Sequence, residues 1–463
     1  MTPRARLIVN ILAWFAFLAI APFLISYSMG HRITTNSANP VSVGTFLLRT
    51  VPNGAEVFLN EKLLGNKTPS SIQNLLPGQY NLRVEKDGYR QWNKKLPITG
   101  TLITDIRDVR LIPAVIEEDV MRTDIINFSI SPKRQWLGLI DKTKNGNQLK
   151  IVSFNKYADP GINVKVLINS KETVNFLWSP NEDYLILQLS MNKTSRNYLV
   201  EINNGNSTEL VNDGSKIMGW VSTLTDEKLV KLKSNKTIIS PLKGTGTETI
   251  SLKTEAISFN TNSFAILEKN DEKYNIRTFS LSGNEQDQIS VPSLAKFPIN
   301  DIFLSSSGDI AILVQPTQKL MIWDNTDHSW HEITEHADNI NWSPEGDKIS
   351  WQESEFDLWI MNLHEKRTLL NPFVPELIAR LSSPIRKPAW YAGSHQILFF
   401  EKDTLKIAEL DPRNGHIIES LISTNISDSK AEVIQNGDEI IATVSHENVP
   451  ALSRFFMLEK ADR

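Results

Sequence analysis

The strongest constraint on this chain's fold is a segment that recurs along its larger, C-terminal part. "FSISPKRQWLGLI" from residue 128, "FLWSPNEDYLILQ" from 176 and "INWSPEGDKISWQ" from 340 share one design. An apolar or aromatic residue is followed by Ser-Pro, a polar turn and a hydrophobic run that begins seven residues after the first position. Looser copies keep the register: "MGWVSTLTDEKLV", "ISFNTNSFAIL", "IFLSSSGDIAIL", "PAWYAGSHQILFF" and "AEVIQNGDEIIATV". The anchoring residues are Ile130, Trp178, Trp220, Phe259, Leu304, Trp342, Trp390 and Val433, spaced 38 to 48 residues apart. A four-stranded propeller blade uses about 40–50 residues, so the interval fits one blade per copy.

A second β-rich run, such as "LKIVSF", "KLMIWD" or "DLWIMNL", follows each anchor by about twenty residues and suits an inner or middle strand. Residues 372–381, "PFVPELIARL", read as the one short helix, or else a loop, after the N-terminal apolar segment. The last copy leaves no room for a fourth strand. Residues 114–124, "AVIEEDVMRTD", stand upstream of the first complete unit and are expected to supply it. Such a closure leaves no open sheet edge. Eight copies predict eight blades over residues 114–463, with seven left open because the third and eighth copies are degenerate. The Ser-Pro turns followed by β runs resemble TolB-type, WD-repeat-like propellers, also seen as the non-catalytic domain of prolyl oligopeptidase-type peptidases. The resemblance implies a platform for a partner or ligand, with Trp and Pro serving packing and turns.

The N-terminus has a different character. Arg4 and Arg6 precede "LIVNILAWFAFLAIAPFLISYS", an uncharged segment from Leu7 to Ser28. As a helix it reaches roughly 30 Å, the thickness of a bilayer's hydrocarbon core. Residues 1–28 are therefore expected to form a cytoplasmic start and an uncleaved transmembrane anchor. A cleaved signal peptide is the alternative, with Ala19-Ile20-Ala21 or Ser26-Tyr27-Ser28 as the processing site. Arg4 and Arg6 predict a cytoplasmic N-terminus and extracytoplasmic C-terminal domains. Residues 29–45, rich in Ser, Thr and Asn, read as a flexible linker.

Residues 46–113 read as a compact antiparallel β-sandwich. Turns are marked by Pro52-Asn53-Gly54, Gly65, Pro77-Gly78 and Asp87-Gly88, and Tyr80, Leu82 and Val84 alternate with polar neighbours. The order "VPNGAEVFLNEKLLGNKTP" then "LLPGQYNLRVEKDGYRQW" resembles the PEGA domain, a small surface-associated β module named for a Pro-Glu-Gly-Ala turn. The matching positions are Pro52, Gly54, Ala55, Gly65, Pro69, Gly78, Gly88 and Tyr89, with Asn53 in place of Glu. The resemblance implies a spacer or interaction module facing the envelope and brings no catalytic set. This segment holds 10 Lys or Arg against 6 Asp or Glu, a net of +4.

Composition removes several functions. The chain of 463 residues has 49 Lys or Arg against 53 Asp or Glu, a balance that does not favour nucleic acid through counterion release. It has no cysteine, which excludes disulfides, thiolate metal sites and thiol nucleophiles. No Gly-x-Ser-x-Gly nucleophile elbow occurs. "DHSWHEITEH" contains His328, His331 and His336, weak metal candidates: His331 and His336 are one residue too far apart for the zincin pattern and would point about 140° apart on a helix. "GTGTE" at Gly244 lacks the helix that a phosphate cradle needs. Glu117-Glu118-Asp119 reads as an exposed connector.

The expected protein is all-β apart from a single-pass anchor in the cell membrane, followed by a PEGA-like sandwich and a propeller. Its function is expected to be non-enzymatic, without a cofactor, binding a protein, peptide or glycan. The alternative is an extracytoplasmic enzyme or sensor whose residues converge in the propeller channel, which no linear motif would reveal.

Overall fold

The computed structural model describes residues 3–28, 31–34, 37–143, 146–154, 161–192, 194–222, 226–242, 246–271, 273–292, 297–364, 370–426, 428–434 and 437–462. The chain divides into two compact units. The first holds residues 1–117 together with 412–415 and 456–463; the second holds the remainder.

In the first unit the helix Pro3–Ser28 is apolar over Val9–Tyr27, with a mean hydropathy of 2.1, and none of that stretch is buried against protein. Trp14, Phe15 and Phe17 all stand exposed. A water-soluble helix would hide such side chains, so the surface suits a lipid surrounding. Where a flexible linker is expected, His31–Thr34 pairs antiparallel with Ser37–Ser42.

Two sheets follow. Gly44–Val51 is the central strand of one, flanked by Ser70–Leu75 and Ile103–Arg110. The other orders Lys62–Lys67, Glu56–Leu59, Gly78–Glu85 and Trp92–Ile98. Alternation decides which side chains turn inward: Phe46, Leu48 and Thr50 from one sheet and Leu82, Val84, Leu96 and Ile98 from the other are buried. The expectation of a purely antiparallel sandwich is corrected, because Ile103–Arg110 runs parallel to Gly44–Val51. That strand's alternation is also irregular for a visible reason. Leu48 pairs with Ile106 but Thr50 pairs with Val109, so one extra residue is accommodated and Ile106 and Val109 both become buried.

The second unit is built from four-stranded sheets, eight of them among the described residues. Their first strands are Ile125–Ile130, Thr173–Trp178, Lys216–Ser222, Thr254–Phe259, Ile299–Leu304, Asp338–Trp342, Ile385–Trp390 and Ala431–Ile434. Seven sheets take four strands in sequence order. The eighth is composite: Glu117–Thr123 lies beside Val449–Phe456, then Glu439–His446, then Ala431–Ile434. This is the closure expected of residues 114–124, and Glu117-Glu118-Asp119 begins its strand instead of forming a connector. Residues 372–381 are corrected from helix to the strand Glu376–Arg380, which completes the sheet beside Asp357–Asn362. Prolines at 372 and 375 disfavour a helix there, and the sheet lacks a fourth strand without this segment.

Core composition follows from stacking. Second strands lie between two neighbouring strands with a sheet on each face, so Ile310–Val314 is buried at every residue. One cluster joins Leu149, Ile151 and Val166 of the first sheet to Leu185, Leu187 and Val200 of the second. Another joins Met121 of the closing strand to Phe128, Leu139, Ile441 and Leu452. Each fully buried aliphatic side chain contributes about 1.5–3 kcal/mol relative to exposure.

Candidate functional site

All eight anchors lie in first strands, six of them at the last residue. The serine that follows organises the turn. Ser131, Ser179 and Ser343 each accept the backbone N–H five residues on through the side-chain oxygen, from Trp136 at 3.0 Å, Tyr184 at 3.1 Å and Lys348 at 3.0 Å. Their own N–H groups donate to the carbonyls of the same residues. A buried hydroxyl thus closes a tight turn at both ends.

The tryptophans join successive sheets. The indole N–H of Trp178 donates to Ser129 Oγ at 3.0 Å, that of Trp220 to the Leu177 carbonyl at 3.1 Å, that of Trp342 to Phe303 at 2.9 Å and that of Trp390 to Asn341 at 3.0 Å. Every acceptor belongs to the residue just before the preceding sheet's anchor. The four tryptophan anchors therefore link adjacent sheets.

First strands are edge strands within their sheets, and those from the fourth to the seventh sheet touch their neighbours. Their exposed positions carry Asn175, Lys216, Glu255, Asp301, Asn339 and Lys387, a rim of mixed polarity. A cleft of about 600 Å³ opens between the second and third sheets, lined by Asn175, Gln188, Ser190, Asn197, Asn212 and Lys216 among others. Asn175 Nδ2 donates to Gln188 Oε1 at 2.8 Å, and Gln188 Nε2 donates to the Ile217 carbonyl at 3.1 Å. This fixes the orientation of two lining amides.

The histidines named from sequence are dispersed. His328 lies beside the Trp323 ring at 5.9 Å, and His336 Nδ1 meets the Thr317 carbonyl at 2.7 Å. His331 stacks on Phe373 at 4.1 Å, with Nε2 3.3 Å from Asp327 Oδ2 and 2.9 Å from Ser329 Oγ. Hydrogen bonds from Ser329 lead the causes that hold the Asp327 carboxyl below its ordinary range. A neighbouring group was not legible in sequence. His364 Nε2 stands 3.0 Å from Asp309 Oδ2 and 3.7 Å from Asp324 Oδ1. Asp309 is fully buried; Asn325 N–H donates to its other oxygen at 2.9 Å, and Thr326 N–H donates to Asp324 Oδ1 at 2.7 Å. The one available signal was the "SSSGD" turn, which places an acid five residues after the Leu304 anchor. Gly244 lies outside the described residues.

In the sandwich, the positions named for the Pro-Asn-Gly-Ala turn meet a buried hydroxyl pair. Thr50 and Thr68 Oγ1 are 2.6 Å apart, and Ala55 N–H donates to Thr68 Oγ1 at 3.0 Å. Ala55 is fully buried, so a larger side chain would be excluded there. Gly54, Gly65 and Gly88 adopt φ of 85°, 75° and 82°, the left-handed region that glycine enters freely. Tyr89 is buried within this unit: its hydroxyl donates to Asp462 Oδ2 at 2.9 Å and accepts from Glu459 N–H at 2.8 Å.

Residues 43–107 match the PEGA domain family. No curated protein sequence matches the chain. Among solved structures the chain is similar to the β-propeller domain of Myceliophteria thermophila Cps50 (Swd1), at 11% identity and a TM-score of 0.39, over 74% of this chain and 100% of that one. It is similar to a eukaryotic initiation factor at 12% identity and a TM-score of 0.45, over 75% and 92%. It is also similar to an oligogalacturonate lyase from Vibrio parahaemolyticus at 10% identity and a TM-score of 0.39, over 74% and 100%. The chain carries a PEGA domain at residues 43–107, followed by a β-propeller.

Proposed function

We propose that this protein is a membrane-anchored, non-enzymatic scaffold whose propeller binds an extracytoplasmic protein, peptide or glycan partner, with a glycan favoured. The N-terminal helix serves as a single-pass anchor, Arg4 and Arg6 stay on the cytoplasmic side, and the PEGA domain acts as a spacer. The observation that carries the binding reading is the cleft between the second and third sheets. Its volume of about 600 Å³ is in the range of ligand pockets, and Lys216 is the one charged residue in its lining. Amides and hydroxyls such as Gln188, Ser190 and Asn197 offer paired donors and acceptors. That chemistry suits saccharide hydroxyls, and none of these groups exchanges protons readily near neutral pH.

The test is a glycan and peptide array probed with the detergent-solubilised full chain, beside Asn197→Ala and Gln188→Ala. The reading expects one ligand class to be captured, with affinity reduced at least tenfold in each variant and the melting temperature retained. Conversion of a captured glycan to products, or capture indifferent to both substitutions, would overturn it.

A further inference from the structure

We propose that Asp309, Asp324 and His364 form a binding site for a divalent transition-metal ion of the zinc class, clamping two neighbouring sheets together. Asp309 ends the turn just before the second strand of the fifth sheet, Ile310–Val314, Asp324 ends that sheet's third strand, Lys319–Asp324, and His364 follows the third strand of the sixth sheet, Asp357–Asn362. One ligand atom from each lies within 4.8 Å of the others. Zinc holds oxygen and nitrogen ligands at about 2.0–2.2 Å, so neighbouring tetrahedral ligands stand about 3.3–3.5 Å apart. The separations of 3.0 and 3.7 Å from His364 Nε2 to the two carboxylates bracket that spacing.

Charge gives an independent reason. Asp309 is fully buried and Asp324 nearly so. Among the described residues, the ion-pair partner of both is His364. Two sequestered carboxylates facing one imidazole are a poor balance at neutral pH, and a divalent cation corrects it. Asp324 also belongs to a second trio with Asp327 and His331, which raises the negative charge of the neighbourhood further. The surrounding groups already resemble an outer shell: Asn325 N–H, Ser307 Oγ and Thr326 N–H all donate to the two carboxylates. His364 keeps partial solvent exposure, with 24% of its side chain accessible, so an ion has a path in. On binding, His364 Nε2 presents its lone pair to the ion and the ring carries its proton on Nδ1.

The experiment uses the full chain in detergent, stripped with a chelator, dialysed against zinc chloride, washed and assayed for bound zinc by mass spectrometry. Asp324→Asn, His364→Gln and His336→Ala are compared, the last because His336 lies outside the trio and controls for zinc held by surface histidines. One tightly held zinc per chain is expected in the parent and in His336→Ala, with affinity lowered at least tenfold in Asp324→Asn and His364→Gln. Zinc is also expected to raise the melting temperature of the parent and of His336→Ala but not of the other two. His364→Gln changes a partly exposed residue and keeps the comparison decisive if Asp324→Asn does not fold. Absence of retained zinc, or retention equal in all four proteins, would overturn the proposal.

Discussion

A tyrosine hydroxyl shows how far a single residue's setting reaches into the behaviour of the whole chain. Burial, with the carboxylates of Asp462 and Glu459 adding to it, pushes the Tyr89 phenol from about 10 up to about 12. The native state therefore keeps a proton that the unfolded chain releases earlier. This contribution to stability is complete below pH 10 and is lost as pH climbs from about 10 to 12. Denaturant unfolding should show a steeper decline with pH for the parent than for Tyr89→Phe inside that window and equal slopes outside it. Parallel curves would show that the phenol is not the titrating group. Tyr89 was legible as a motif residue, but its partners, 370 and 373 positions away, were not. The same divide runs through the propeller. The serines after the anchors announced turns because their bonds span five residues. Asp309, Asp324 and His364 stayed hidden because their meeting depends on which strand ends neighbouring sheets bring together.

Among the elements, the closing strand Glu117–Thr123 has the clearest energetic signature. It pairs with Val449–Phe456, and Met121 is its contribution to the cluster around Phe128 and Leu452. Met121→Ala should lower unfolding free energy by about 2–5 kcal/mol, the range for truncating a core side chain. Val120, nearly half exposed on the same strand, should lose no more than about 0.5 kcal/mol when changed to alanine. Chemical denaturation of the two variants checks this, and equal effects would mean that the strand does not pack as described. The repeat fixed where these elements fall because every sheet reuses one spacing. The strand Glu376–Arg380 escaped it: fourth strands have no anchor, and its short apolar run fits either a helix or an edge. The parallel pairing of Ile103–Arg110 was equally invisible, since alternation reports a face and carries no direction.

For the whole molecule, the helix over Val9–Tyr27 is long and apolar enough to cross a membrane. Phe15 and Leu18 stand 70% and 62% exposed on it. Replacing both with arginine adds about 5–7 kcal/mol to the cost of insertion at the centre of a span. After alkaline carbonate extraction, the parent should remain in the membrane pellet and the Phe15→Arg, Leu18→Arg variant should appear mainly in the supernatant. A parent found in the supernatant would argue for processing of the segment. Length, hydropathy and the repeat together made the architecture readable from sequence, whereas the cleft between the second and third sheets arises from two sheets and has no linear trace. The composite sheet also imposes an order of events during synthesis. Its outermost strand leaves the ribosome first, and its partner Val449–Phe456 follows after more than 300 further residues. At ~5–20 residues per second, that strand waits on the order of tens of seconds for its mate. The composite sheet stays unlatched until Val449–Phe456 has been synthesised, and chaperones that shield bare β edges have that interval in which to act.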